Sequence, residues 1–137
     1  IELKGDVPPD LRPGVGDWLF GCDICQEVCP WNRKAPSSAE PAFRPRPDLE
    51  SVDPVELLGL TEEAFRRRFR GTALMRAKRR GLLRNAAVVL GNVGDERALP
   101  ALRRALDDSE LTVREAARWA ILQIGRRAGG VRPDHDA

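Results

Sequence analysis

Two stretches of this chain, 31 residues apart, carry the same apolar pattern. Leu82 corresponds to Val113, Ala86 to Ala117, Val89 to Ala120, Leu90 to Ile121, Val93 to Ile124 and Gly94 to Gly125. Within each copy the spacing is that of one helical face, the alanines permit close helix approach, and the final glycine reads as a helix C-cap. Between the copies, Asp95 to Pro100 opens a further helix through Leu102 and Leu106, and Asp107-Asp108-Ser109 turns the chain into the next. Short helices alternating at this period build an α-solenoid, because no single unit can bury its apolar face alone. Two copies are few, so helices within residues 54–70 are expected to cap or extend the stack.

Those upstream helices have local start signals. Asp53 precedes Pro54 as an N-cap precedes a proline at the first helical position, and Thr61 precedes Glu62 and Glu63 in the same way. Phe65 and Phe69, four apart, share one helical face. Gly94-Asp95 and Val113-Arg114 sit where the short HEAT-like repeat has them, and the second half of the chain resembles that repeat. Residues 1–47 differ in texture. They hold eight of the 11 prolines and all three cysteines, and the stretch from Lys34 to Pro47 cannot sustain a helix. The expected division is therefore residues 1–47 and residues 48–137.

The formal net charge of +2 on 137 residues conceals an asymmetry. Between Ala64 and Gly94 lie nine of the 23 basic residues and none of the 21 acidic ones: Arg66, Arg67, Arg68, Arg70, Arg76, Lys78, Arg79, Arg80 and Arg84. Such a run is either a solvated helix face or a site for a polyanion, and the lack of interleaved acids favours the polyanion. No apolar run approaches the roughly 20 residues that span a bilayer. The chain begins without Met in what reads as the middle of an element, as a fragment would.

Cys22, Cys25 and Cys29 follow the spacing Cys-x2-Cys-x3-Cys-Pro. This matches the last three cysteines of the ferredoxin-type run, in which the final cysteine ligates the other cluster of a two-cluster fold. The odd count argues against a disulfide framework. A structural zinc ion needs a fourth ligand, and the sole histidine, His135, lies in a polar tail. An iron–sulfur cluster needs four thiolates where this chain has three, so the missing ligands are expected upstream. Trp18 and Trp31 read as packing residues around a cluster.

Residues 21–32 (GCDICQEVCPWN), preceded by IELKG and followed by RAKRRGLLRNAAVVLGN, resemble epoxyqueuosine reductase, the cobalamin-dependent iron–sulfur enzyme family of queuosine biosynthesis. The likeness runs from Ile1 to about Gly125. It implies a mostly α chain: the C-terminal part of a ferredoxin-like iron–sulfur domain, then a HEAT-like solenoid facing RNA. It further implies two 4Fe–4S clusters, with Cys22 and Cys25 ligating one alongside upstream cysteines and Cys29 completing the other. Asp23 resembles a position near the cobalamin, although a turn-stabilising role fits it equally. Glu2 and Lys4 resemble a stretch close to the RNA, and Arg76, Lys78, Arg79, Arg80 and Arg84 are the expected phosphate contacts. The partner implied is the anticodon stem-loop of a tRNA, bound by a cytoplasmic monomer that reduces the epoxide of epoxyqueuosine. The cobalamin domain is not in this chain, which alone is expected to be inactive. The competing reading is a non-catalytic iron–sulfur electron-transfer module with a HEAT-type protein-binding surface.

Overall fold

The computed structural model describes residues 3–44 and 46–129. Among them are seven α-helices and no strand: α1 (Ile24–Glu27), α2 (Pro47–Glu50), α3 (Pro54–Leu57), α4 (Glu62–Phe69), α5 (Lys78–Val93), α6 (Leu99–Ala105) and α7 (Leu111–Ala128). Short 3-10 turns at Pro13–Val15, Asn32–Lys34, Pro41–Phe43, Ala73–Arg76 and Glu96–Ala98 connect them. No helix among the described residues is long and apolar enough to cross a membrane.

Helix α5 is the axis of the fold. From Gly81 to Gly91 nearly every residue is buried, because α3, α4, α7 and the N-terminal segment all pack against it. A helix apolar on all sides belongs in such a position. Its largest interface is with α7, where the two repeat copies face each other through Ala86, Ala87, Ala116, Ala117 and Ala120. A Cβ added to Gly91 would lie 2.3 Å from the Trp119 ring and 3.0 Å from the Ala120 backbone, so glycine here sets the helix separation. On the other side, Phe65 and Phe69 of α4 are fully buried with ring centroids 5.3 Å apart. Each such aromatic contributes about 1.5–3 kcal/mol on burial.

The start signals read from sequence are used as expected. Asp53 accepts a hydrogen bond from the Val55 N–H at 2.8 Å, Thr61 from the Ala64 N–H at 3.1 Å, and Asp95 from the Arg97 N–H at 2.9 Å. The closing glycines are not equivalent, contrary to the repeat reading. Gly94 does end α5, in an ordinary extended conformation, and its value is space: a Cβ there would come 2.5 Å from the Leu90 carbonyl oxygen. Gly125 lies inside α7, which continues to Ala128. The last apolar pair diverges likewise, since Val93 is exposed and Ile124 buried.

The C-terminal end of α5 is closed from outside. Arg127 of α7 donates to the Gly91 and Gly94 carbonyls at 2.5 and 2.7 Å, satisfying acceptors that a helix end leaves open.

Candidate cluster loop and nucleic-acid interface

The cysteine segment has little core of its own, and α5 and α7 supply its order. Asn92 donates to the carbonyls of Arg12 and Gly16, both at 2.9 Å, and Asn85 to the carbonyl of Leu19 at 3.0 Å. These asparagines are seven residues apart, hence on one face of α5. Arg12 itself is 3% exposed. It donates to the Val7 carbonyl at 2.8 Å, pairs with Asp6 at 2.8 Å and stands 5.5 Å over the Trp119 ring. Sequence reading missed Arg12, Asn85 and Asn92. The signal available was two asparagines at heptad spacing within the mostly apolar stretch from Gly81 to Val93.

Past Leu19 the chain turns at Gly21 (φ +71°) and enters the single turn α1. The Asp23 carbonyl accepts from the Gln26 and Glu27 N–H groups at 2.8 and 2.9 Å, and Ile24 accepts from Val28 at 3.0 Å. Asn32 then closes the motif. Its side-chain amide donates to the Gln26 carbonyl at 3.1 Å while its backbone N–H reaches the Cys29 carbonyl at 3.1 Å. Cys22 and Cys25 are exposed free thiols, and Cys29 is a half-buried one. The exposed Asp23 carboxylate makes no capping hydrogen bond.

The donor set fits iron–sulfur ligation in part. Three free thiols follow one another on a hydrogen-bonded turn, as thiolate ligands require. Among the described residues, however, no three Cys, His, Asp or Glu side chains converge on one point. The turn can therefore offer ligands, but not a complete site from described residues. Beside it runs a groove of about 770 Å³ whose lining includes Leu3, Leu11, Trp18, Ile24 and Cys22. Trp18 lines this groove and is itself exposed. Trp31, read from sequence as a packing residue, is 86% exposed.

The basic run separates into two groups. Lys4, Arg76, Lys78 and Arg80 line one small cleft with Leu3 and Gly81, at the beginning of α5. Lys78 adopts φ +59°, rare for a side chain with a Cβ. The first turn of α5 carries no side-chain cap and no acid, so the positive end of the helix dipole is uncompensated there. Arg79 and Arg84 have other work. Arg79 pairs with Asp108 in the α6–α7 turn and donates to the Leu60 carbonyl at 2.6 Å, with the Asp108 side chain only 7% exposed. Although burial alone would raise it, the Asp108 carboxyl is held below its ordinary range by its hydrogen bonds to Arg79 and to the Glu110 N–H. Arg84 is 4% exposed and donates to the carbonyls of Leu3, at 2.9 Å, and Gly5. Neither guanidinium is a free surface cation.

Acids from outside the run also reach into it. Glu62 pairs with Arg66 at 2.9 Å and Glu56 with Arg68 at 3.5 Å. Phe65 and Phe69 are buried and present no ring to a nucleic-acid base. Glu2 lies outside the described residues, as does His135.

Comparison with known proteins bears on both regions. Residues 1–32 match a 4Fe-4S double cluster binding domain, and residues 71–129 match HEAT repeats. Over 126 residues the chain is 42% identical to epoxyqueuosine reductase from Xanthomonas campestris pv. campestris, covering 91% of this chain and 36% of that protein. Against the Escherichia coli K12 epoxyqueuosine reductase it is 42% identical over 129 residues, covering 93% and 34% respectively. The fold agrees. A crystal structure of epoxyqueuosine reductase with an epoxyqueuosine-modified tRNA-Tyr stem loop superposes with a TM-score of 0.84 at 31% identity, over 93% of this chain and 34% of that one. The enzyme from Bacillus subtilis gives 0.83 at the same identity. The chain thus spans about a third of the length of the relatives it matches.

Proposed function

We propose that this chain, which shares its sequence and fold with a third of the epoxyqueuosine reductases, works as part of such an enzyme, which reduces the epoxide of epoxyqueuosine in tRNA to queuosine. One observation carries the reading. The segment leading into a ferredoxin-type cysteine turn is fastened by Asn85, Asn92 and Arg84 onto the same solenoid helix whose beginning holds the basic cleft. A redox group and a polyanion site on one rigid support are what a tRNA reductase needs and an isolated electron carrier does not.

Within this reading the division of labour falls at about residue 47. Residues 1–47 supply cluster ligands: Cys22 and Cys25 to one 4Fe–4S cluster, Cys29 to a second. Such a cluster supplies single-electron transfer when bound. The apolar groove beside Cys22 is then covered by the polypeptide that brings the remaining ligands. Cobalamin belongs to the part of the enzyme outside this chain, and the exposed, uncapping carboxylate of Asp23 is available to face it. Residues 48–137, joined by Lys4, hold the RNA. Lys4, Arg76, Lys78 and Arg80 meet phosphates of an anticodon stem-loop, which fixes position without reading sequence. The two remaining members of the expected set, Arg79 and Arg84, keep the cleft's walls in place. In this reading the enzyme is cytoplasmic, where its tRNA substrate is found, and it works as a monomer.

The test is binding of an anticodon stem-loop measured across salt concentration. Each phosphate contact releases condensed counterions, so loss of one contact lowers the log–log salt slope by about one. Arg76→Ala/Lys78→Ala/Arg80→Ala is expected to flatten the slope by about three, similarly for different stem-loops. Unchanged affinity and slope would make the cleft a solvated face and return the protein-binding solenoid as the better reading.

A further inference from the structure

Arg84 is an expensive residue for its position. Its guanidinium is buried in the middle of α5, and desolvation, with a smaller push from the like charge of Arg80, lowers its pKa against the opposing attraction of Asp6. Its partners are the carbonyls of Leu3 and Gly5 and the side-chain oxygen of Asn85, and among the described residues no carboxylate pairs with it. Replacing a buried ionic group with an apolar residue of similar size is often neutral or stabilising. Stability alone therefore does not account for a cation here. What a planar fork with several fixed donors does well is hold acceptors in one geometry, and the acceptors it holds flank Lys4. That lysine lines the cleft with Arg76, Lys78 and Arg80, while the backbone around it belongs to a segment with no helix or strand.

We infer that Arg84 is a positioning residue for RNA: by gripping the carbonyls on either side of Lys4, it delivers that side chain from a loop into the phosphate cleft on α5. The inference rests on the RNA reading of the cleft given above. It moves Arg84 from contacting phosphate to acting through Lys4. It also explains why two arginines four residues apart on α5, Arg80 and Arg84, are kept close in spite of their repulsion. One faces the ligand cleft and the other holds the cleft's detachable wall.

The experiment is a double-variant cycle on the whole chain, using a fluorescent anticodon stem-loop titrated at several salt concentrations. Lys4→Ala should lower the slope by about one. Arg84→Met should lower it equally, although the residue touches no phosphate, and Lys4→Ala/Arg84→Met should lower it no further. Should Arg84→Met fail to fold by circular dichroism, Arg84→Lys, which keeps the charge and loses the fork, carries the same comparison. A merely structural Arg84 would reduce the melting temperature and leave the slope untouched, which would overturn the inference while preserving the RNA reading. Full additivity of the two substitutions would overturn it as well, by showing that Arg84 acts independently of Lys4. If Lys4→Ala itself leaves the slope unchanged, the RNA role of Lys4 falls and this inference falls with it.

Discussion

The solenoid and the cysteine segment of this chain reach order by opposite means. From Asp53 to Ala128, helices bury their own apolar faces, cap their own ends and close the α5 terminus with Arg127. From Leu3 to Cys29, the chain has Arg12 as its one fully buried residue, and side chains from α5 hold its backbone carbonyls at Leu3, Gly5, Arg12, Gly16 and Leu19. The difference teaches where function can be placed. A segment of the kind proposed here, which leaves room for an inorganic cluster, cannot fill its centre with side chains, so its shape is borrowed from a neighbour that is already rigid. The same neighbour carries the basic cleft, so the segment leading to the cysteine turn and the cleft share one support.

If this comparison holds, damage to the solenoid should spread to the cysteine segment and the reverse should not occur. The largest effect is expected from Phe69→Ala. Loss of a fully buried ring packed on Phe65 should cost about 3–5 kcal/mol, enough to unfold a marginal domain. Chemical denaturation monitored by circular dichroism would measure it, and a loss below 1 kcal/mol would show that α4 is not part of the cooperative unit.

Arg79→Met should come next, at about 3 kcal/mol, because it leaves the Asp108 carboxylate buried without its cation. This effect has a definite pH signature. The folded pKa of Asp108 is depressed, so its stabilisation is complete above the unfolded value of about 3.9 and is lost as pH falls through the lower folded value. The stability gap between the wild type and Asp108→Asn should therefore be constant near neutrality and close progressively below about pH 4. A gap that persists unchanged into that acid range would contradict the assignment of the pair.

Asn92→Ala is smaller and more selective. Losing two hydrogen bonds to the Arg12 and Gly16 carbonyls should cost about 1–3 kcal/mol. Amide hydrogen exchange should quicken at residues 12–18 while the α6 and α7 amides keep their protection. Equal loss in both regions would erase the distinction drawn between them. Thr61→Ala, removing the α4 cap, should cost only about 1 kcal/mol and leave the cysteine segment unaffected.

Legibility in the sequence followed the reach of each interaction. Caps at Asp53 and Thr61 act over two or three residues and were readable, as was the helix opening at Asp95. The repeat was readable because its apolar period is local, but its closing glycines were not. Whether Gly94 or Gly125 ends a helix depends on what lies beyond it, and α7 runs on. The charge run was visible as a sum, whereas its partial neutralisation by Glu56, Glu62 and Asp108 depends on the fold. Arg84 shows the limit most clearly. Its partners Leu3 and Gly5 are about 80 residues away, and no pattern around position 84 names them. Trp31, expected to pack around a cluster, is exposed among the described residues, and the role expected of it depends on a cluster rather than on this chain's own packing.

The claim on which the account depends most is that this cysteine turn is part of a shared ligand set. The most direct measurement is iron and acid-labile sulfide content after anaerobic reconstitution, for the chain alone and for the chain mixed with the complementary two-thirds of a related epoxyqueuosine reductase. The account predicts no chelator-resistant 4Fe–4S cluster on the chain alone. It predicts stable clusters in the mixture, lowered by Cys22→Ser or Cys25→Ser. Stoichiometric, chelator-resistant incorporation into the isolated monomer would contradict it.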